Sequence, residues 1–134
     1  MTHFRSPVTA PEAGESRPPS RLFRAGWWVL VVITALLALN HTLGTLTFAT
    51  SDDERAMFMI FLALNLLSLV VLVIPYRRRE RWSWGAMWIP VVTNAIPLLV
   101  FSFDAIAAFY ASLAVLMAAG QLTTLREFRA PPGT

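Results

Sequence analysis

AGWWVLVVITALLALNHTLGTLTFATS, the stretch from Ala25 to Ser51, carries no formally charged side chain. At about 1.5 Å of rise per residue, a helix of that length crosses a hydrocarbon layer roughly 30 Å thick. Three more uncharged stretches of comparable length follow: Ala56 to Tyr76, Trp82 to Phe103 and Ala105 to Leu125. Together they occupy most of the 134 residues. The expected fold is therefore an all-α integral membrane protein, a four-helix up-down-up-down bundle, because short connections place successive helices antiparallel and adjacent. Residues 21–129 form the expected transmembrane domain, with helices at about 25–48, 55–75, 82–101 and 104–125. Residues 1–20 read as a disordered cytoplasmic tail and 130–134 as a short cytoplasmic one.

Composition argues the same way. A chain this short with 56% hydrophobic and 14% charged residues has more apolar surface than a soluble domain of its size can enclose, so lipid must cover the remainder. Cysteine is absent, which excludes disulfides, thiolate metal sites and cysteine nucleophiles. All eleven basic residues are arginine, a skew typical of high-GC bacterial coding. They sit beside apolar helices rather than along a soluble face, so the expected counter-charge is an anionic lipid headgroup and not nucleic acid.

The arginines also orient the chain. Arg5, Arg17, Arg21 and Arg24 precede the first helix, Arg77, Arg78, Arg79 and Arg81 fill the second loop, and Arg126 and Arg129 follow the fourth helix. Arg55 alone lies on the other side. The positive-inside bias then puts both termini and the second loop in the cytoplasm, and Thr50 to Arg55 and the Phe101 to Asp104 turn outside. Trp27, Trp28, Trp82 and Trp84 fall at the same cytoplasmic interface, where an amphipathic ring sits at headgroup level. A signal peptide also begins with arginines before an apolar run, but this run exceeds an h-region, and Thr47-Phe48-Ala49 makes a poor cleavage site. The expected location is a bacterial inner membrane, crossed several times.

Local signals refine the helices. Ser51 and Glu54 form a capping-box pattern for the second, with Asp52 and Asp53 complementing its N-terminal dipole and Pro75 marking its end. Asp104 or Ser102 caps the fourth. In the third, Pro90 and Pro97 each lack an N–H, which frees the carbonyls of Ala86 and Thr93 and bends the helix, and Thr93 and Asn94 stand ready to satisfy them.

The polar residues at membrane depth are the candidate site: Asn40, His41, Asn65 and Asn94, with Asp104 at the outer mouth. Exposing an amide or imidazole to lipid is costly, so these should face the bundle interior or water. Thr34, Ala38, His41, Thr45 and Phe48 share one stripe of the first helix, and Asn65 or Thr45 is the expected partner of His41. Trp28 to Asn40 and Trp82 to Asn94 repeat one separation, which permits duplication of a two-helix unit. In the fourth helix Asp104, Ala107, Ala111, Ala114, Ala118 and Gln121 recur at three and four, and the four alanines make a seam where another backbone can approach closely.

Chemistry beyond packing finds few parts. Metal binding lacks ligands, with His41 and Asp104 the lone candidates; haem ligation by His41, alone or with Met57 or Met59, lacks a second histidine. No phosphate loop, nucleophile elbow or paired membrane carboxylates occur. No cofactor is expected. The expected role is a non-enzymatic assembly or accessory component whose partner is itself or another membrane protein. The alternative is a small-molecule or lipid-binding or transport protein, conceivably quinone-linked, with an outward-facing pocket at the candidate site.

Arg77, Arg78, Arg79 and Arg81 can contact anionic lipid, and topogenesis alone also explains them. The string Tyr76-Arg77-Arg78-Arg79-Glu80-Arg81-Trp82-Ser83-Trp84, continuing to Trp88, resembles the second loop of small four-helix membrane proteins of actinobacteria, which often read Arg-Arg-Gly-Glu-Arg-Trp-Ala-Trp. This chain has Arg79 where that string usually has Gly. The resemblance implies the four-helix topology and a bacterial origin, and it brings no catalytic residue with it.

Overall fold

The computed structural model describes residues 18–100 and 104–129. The N-terminal tail up to residue 17 with Arg5 and Arg17, residues 101–103 of the expected outer turn with the alternative cap Ser102, and the tail 130–134 lie outside the described residues. Among the described residues there are helices and turns and no strand.

Helix α1 spans Arg21–Leu43 and runs on through a wider, π-type turn at Gly44–Phe48; α2 spans Asp52–Val71 and ends in a similar turn at Leu72–Tyr76. The third segment is divided into α3 (Arg81–Ala86), α4 (Trp88–Ala95) and α5 (Pro97–Val100), and α6 spans Ala105–Arg129. Three of these units, Arg21–Phe48, Asp52–Tyr76 and Ala105–Arg129, are long and apolar enough to cross a membrane. The third segment is cut by its prolines: the breaks at Met87 and Ile96 lie just before Pro90 and Pro97, whose missing N–H groups leave the helical ladder incomplete. Thr93 and Asn94 do not serve the freed carbonyls as expected. Their side chains turn back within the helix, Thr93 Oγ1 donating to Ile89 O at 2.9 Å and Asn94 Nδ2 to Pro90 O at 2.7 Å.

The caps follow from short polar side chains. Ser20 Oγ accepts the Phe23 N–H at 3.1 Å, Ser51 Oγ accepts the Glu54 N–H at 3.2 Å, and Asp104 Oδ1 accepts the Ala107 N–H at 2.7 Å. Each satisfies one of the N–H groups that a helix start leaves without a partner. The carboxylate of Glu54 reaches past the cap, accepting from the Thr50 N–H at 2.7 Å and its hydroxyl at 2.8 Å. Pro75 sits inside the wider turn that closes the second helix, and the helical segment ends one residue past it, at Tyr76.

Helix α1 is the centre of the molecule, packed on one side by α2 and on the other by α6; α6 in turn carries α3, α4 and α5, and α2 touches α4 only lightly. The core runs along α1 through Phe23, Leu30, Ile33 and Leu37, joined by Leu72, Tyr76, Met87, Val91, Met117 and Phe128. At the tightest crossing Gly26 of α1 meets Gly120 of α6: a Cβ on Gly26 would stand 2.6 Å from the Gly120 carbonyl oxygen. Outward faces are apolar, with Leu36, Ile60, Leu67, Ile89 and Val115 all exposed. Only 17% of the apolar window of α2 is buried, so that helix presents most of its hydrophobic surface to its surroundings, the reverse of a soluble core helix.

Candidate functional site

Two polar clusters lie at opposite ends of α1. The first gathers around His41, which is buried. Its ring stacks at 25° on Phe61 and at 23° on Tyr110, with centroids 5.4 and 6.2 Å away, and Phe58 stands tilted at 6.2 Å. Nδ1 of His41 is 2.7 Å from Leu37 O and 3.1 Å from Asn65 Nδ2. One nitrogen cannot donate to the carbonyl and accept from the amide together. The shorter contact, to a group that only accepts, assigns the proton to Nδ1. Asn65 then directs its amide to Phe61 O at 2.8 Å. Gly44 makes room for this cluster, because a Cβ there would fall 2.5 Å from the Phe58 ring.

The five candidate residues do not converge on one point. His41 and Asn65 touch across α1 and α2. Asn40 is exposed rather than inside the bundle, because it lies one residue, about 100° of helix, from the His41 stripe; its amide donates to Tyr110 Oη at 3.2 Å. Asn94 is buried but bonded within its own helix, and exposed Asp104 acts as the cap of α6. Asn40 and Asn94 thus have different surroundings despite their matched separations from Trp28 and Trp82. Thr45 bonds the His41 carbonyl at 2.9 Å rather than its ring. Phe48 leaves the stripe and is 67% exposed, since the wider turn of Gly44–Phe48 inserts a residue and breaks the spacing. Haem or quinone ligands would find one imidazole here, edged by aromatic rings. Among the described residues no group of three His, Asp or Glu side chains could hold a metal ion.

The second cluster joins α2, α3 and α6. Tyr76, Gln121 and Thr124 are each 0% exposed. The Tyr76 hydroxyl lies 3.0 Å from Gln121 Oε1 and 2.5 Å from Thr124 Oγ1. Gln121 reaches α3 through a reciprocal pair: its side-chain Nε2 donates to Trp84 O at 2.5 Å and its main-chain O accepts from Trp84 Nε1 at 3.1 Å. Around the phenol, Phe128 packs edge-on at 4.8 Å and Phe23 stacks at 6.1 Å. Trp27 adds a bond from its Nε1 to Leu72 O at 2.9 Å, in the turn that Pro75 disturbs. Of the alanine seam, Ala107 and Ala114 are buried and Ala111 and Ala118 half-buried.

Sequence reasoning singled out Gln121 as part of that seam, read Trp84 as an interfacial ring and Tyr76 as part of the loop string, and passed over Thr124 and Glu127. A signal for one neighbouring residue was present: continuing the seam's alternating spacing from Gln121 arrives at Leu125 and then at Phe128, which packs on Tyr76, and steps past Thr124. Tyr76 carried no such mark, since a tyrosine at the end of an apolar run reads as an interfacial residue.

In the arginine loop, Arg77 lies 5.9 Å over the Trp27 ring and Arg79 Nη1 bonds Glu127 Oε2 at 3.1 Å. Glu127 Oε1 also accepts the Ser20 N–H at 3.1 Å, so one carboxylate ties the start of α1 to the loop. Arg79 has φ 61°, the one non-glycine residue with positive φ among the described residues. No family model, curated protein or solved structure matches the chain.

Proposed function

We propose that the protein is a four-pass, up-down-up-down bundle of a bacterial inner membrane, with both termini and the arginine loop in the cytoplasm, and that it serves as a non-enzymatic assembly or accessory component. The observation that carries this reading is the Tyr76, Gln121, Thr124 and Trp84 cluster, whose buried polar groups are turned onto one another across three helical segments. Interhelical hydrogen bonds of this kind hold helices together in lipid, where apolar burial supplies no drive. A catalytic or transport site instead needs polar groups left facing a space for substrate.

Support for the orientation comes from the exposed arginines Arg21, Arg24, Arg77, Arg78, Arg81, Arg126 and Arg129, which belong to the chain ends and the loop that meet around Glu127 and Phe128. Their shared end suits the leaflet rich in anionic lipid. The segmented third passage, Arg81 to Val100, fits a membrane span when its breaks are packed against α6, as broken helices at membrane depth require protein cover. A pocket built from His41 and Asn65 remains the second reading, favoured by the aromatic walls around the imidazole; Asn94 and Asp104 take no part in it.

The cysteine-free chain makes the test direct. Single cysteines at Ser51 and Arg78 are treated with a membrane-impermeant maleimide on intact cells. Ser51→Cys should label from outside and Arg78→Cys only after permeabilisation; the opposite pattern overturns the topology. Native mass spectrometry from lipid discs tests the role. Subunits or a partner protein retained without a stoichiometric small molecule are expected, whereas a monomer carrying such a molecule that His41→Ala releases would favour the pocket.

A further inference from the structure

Because α2 and α4 meet only lightly, a shallow cleft of about 60 Å³ opens between them, exposed along one side. Leu64, Leu67 and Val71 of α2 form one wall, and Met87, Ile89 and Pro90 the other. Ser68 is its polar lining residue, and that hydroxyl already donates to Leu64 O at 2.8 Å. The cleft therefore offers mainly hydrocarbon contact.

Its two walls are joined at one end by the arginine loop. Counting helical rise from Arg77 and Arg81, the lining residues lie roughly 8 to 20 Å from the loop, the depth an acyl chain occupies when its phosphate is at the interface. Two of the four guanidiniums are engaged elsewhere, Arg77 over Trp27 and Arg79 on Glu127. Arg78 and Arg81 are exposed, and neither forms an ion pair among the described residues. Trp82, 57% exposed, stands one helical turn before Ala86, on the face that leads into the cleft.

We propose that this cleft holds an acyl chain of an anionic glycerophospholipid whose phosphate rests on Arg78 and Arg81. The inference rests on the membrane-spanning reading above and adds to it a defined lipid position. Charge complementarity selects the occupant: the apolar walls accept any acyl chain, and the two guanidiniums at the mouth favour a net negative headgroup. Two arginines at a membrane surface imply a preference of roughly tenfold or more over a zwitterionic lipid.

The test uses the whole chain in lipid discs containing equal phosphatidylglycerol and phosphatidylcholine, each in turn bearing a photoreactive group midway along one acyl chain. Adducts from phosphatidylglycerol should concentrate on residues 64–71 and 86–90 and exceed those from phosphatidylcholine by about tenfold. Arg78→Ala with Arg81→Ala should bring the two lipids near parity there, while Arg126→Ala with Arg129→Ala, an equal loss of charge nearby, should leave the preference in place. Adducts spread evenly around the apolar perimeter, equal labelling by the two lipids, or an equal effect of both double variants would overturn the proposal. So would chain-to-chain crosslinks replacing lipid adducts at the cleft, which would make a second copy the occupant. Discs present the same lipid on both faces, so a negative result leaves the topology and the assembly role standing.

Discussion

The hydroxyl of Tyr76 and the side-chain oxygen of Gln121 lie 3.0 Å apart with neither residue exposed, so the closing turn after α2 is bonded to α6 inside the protein, at the end where α1 starts. Tyr76→Phe keeps the ring contacts with Phe23 and Phe128 and removes this bond. A loss of about 0.5–2 kcal/mol is expected, the range for interhelical bonds in membranes and for buried partners left unpaired. A double-mutant cycle with Thr124→Val, followed by denaturation in mixed micelles, measures the coupling; additive effects would mean that the two hydroxyls do not interact.

Glycine substitutions separate contact from helix propensity. Gly26→Ala places a methyl group 2.6 Å from the Gly120 carbonyl oxygen, which forces α1 away from α6. Overpacking of that kind costs about 1–3 kcal/mol. Gly85→Ala meets nothing within 4 Å and should leave stability unchanged or raise it by up to about 1 kcal/mol, the propensity difference in a helix. Thermal unfolding of both in one detergent decides the matter, and an equal response would refute the close crossing.

Arg79 combines an unfavourable backbone with a favourable side chain. A non-glycine residue in the left-handed region costs roughly 1–2 kcal/mol, against which the contact with Glu127 works. Arg79→Gly loses the contact and the strain together, and Arg79→Ala loses only the contact. The glycine variant should therefore melt higher than the alanine variant by an amount equivalent to about 1 kcal/mol.

At His41, the imidazole fills the space between Phe61 and Tyr110 as well as bonding Leu37. Its removal in His41→Ala should cost about 2–4 kcal/mol through the cavity and the lost bond. Asn65→Ala should cost less, about 1 kcal/mol, because the His41 Nδ1 proton stays on the Leu37 carbonyl. If the order is reversed in denaturation measurements, the proton assignment is wrong and Nδ1 accepts from Asn65.

How much could be read from residues alone differs between elements. The long apolar helices were legible because uncharged runs and their arginine flanks are properties of consecutive residues. A disturbance at Pro90 and Pro97 was legible because proline's missing N–H acts within its own turn, but one bent helix was expected where there are three short ones, and the acceptors chosen by Thr93 and Asn94 were not legible. Which of Asn40 and His41 lies inside was not legible from depth alone, because direction changes by about 100° per residue, and the wider turn at Gly44–Phe48 that ejects Phe48 has no sequence mark of its own.

What the chain's sequence determined by itself was an all-helical protein with apolar stretches of membrane-spanning length, since hydrocarbon length, charge placement and proline geometry act locally along it. Which buried polar groups meet was decided only by the tertiary structure. Tyr76 and Gln121 are 45 residues apart, and they come together because two glycines let α1 and α6 cross closely while Pro75 yields a turn that carries the phenol inward. Those distances depend on the packing of whole helices, which no single segment specifies.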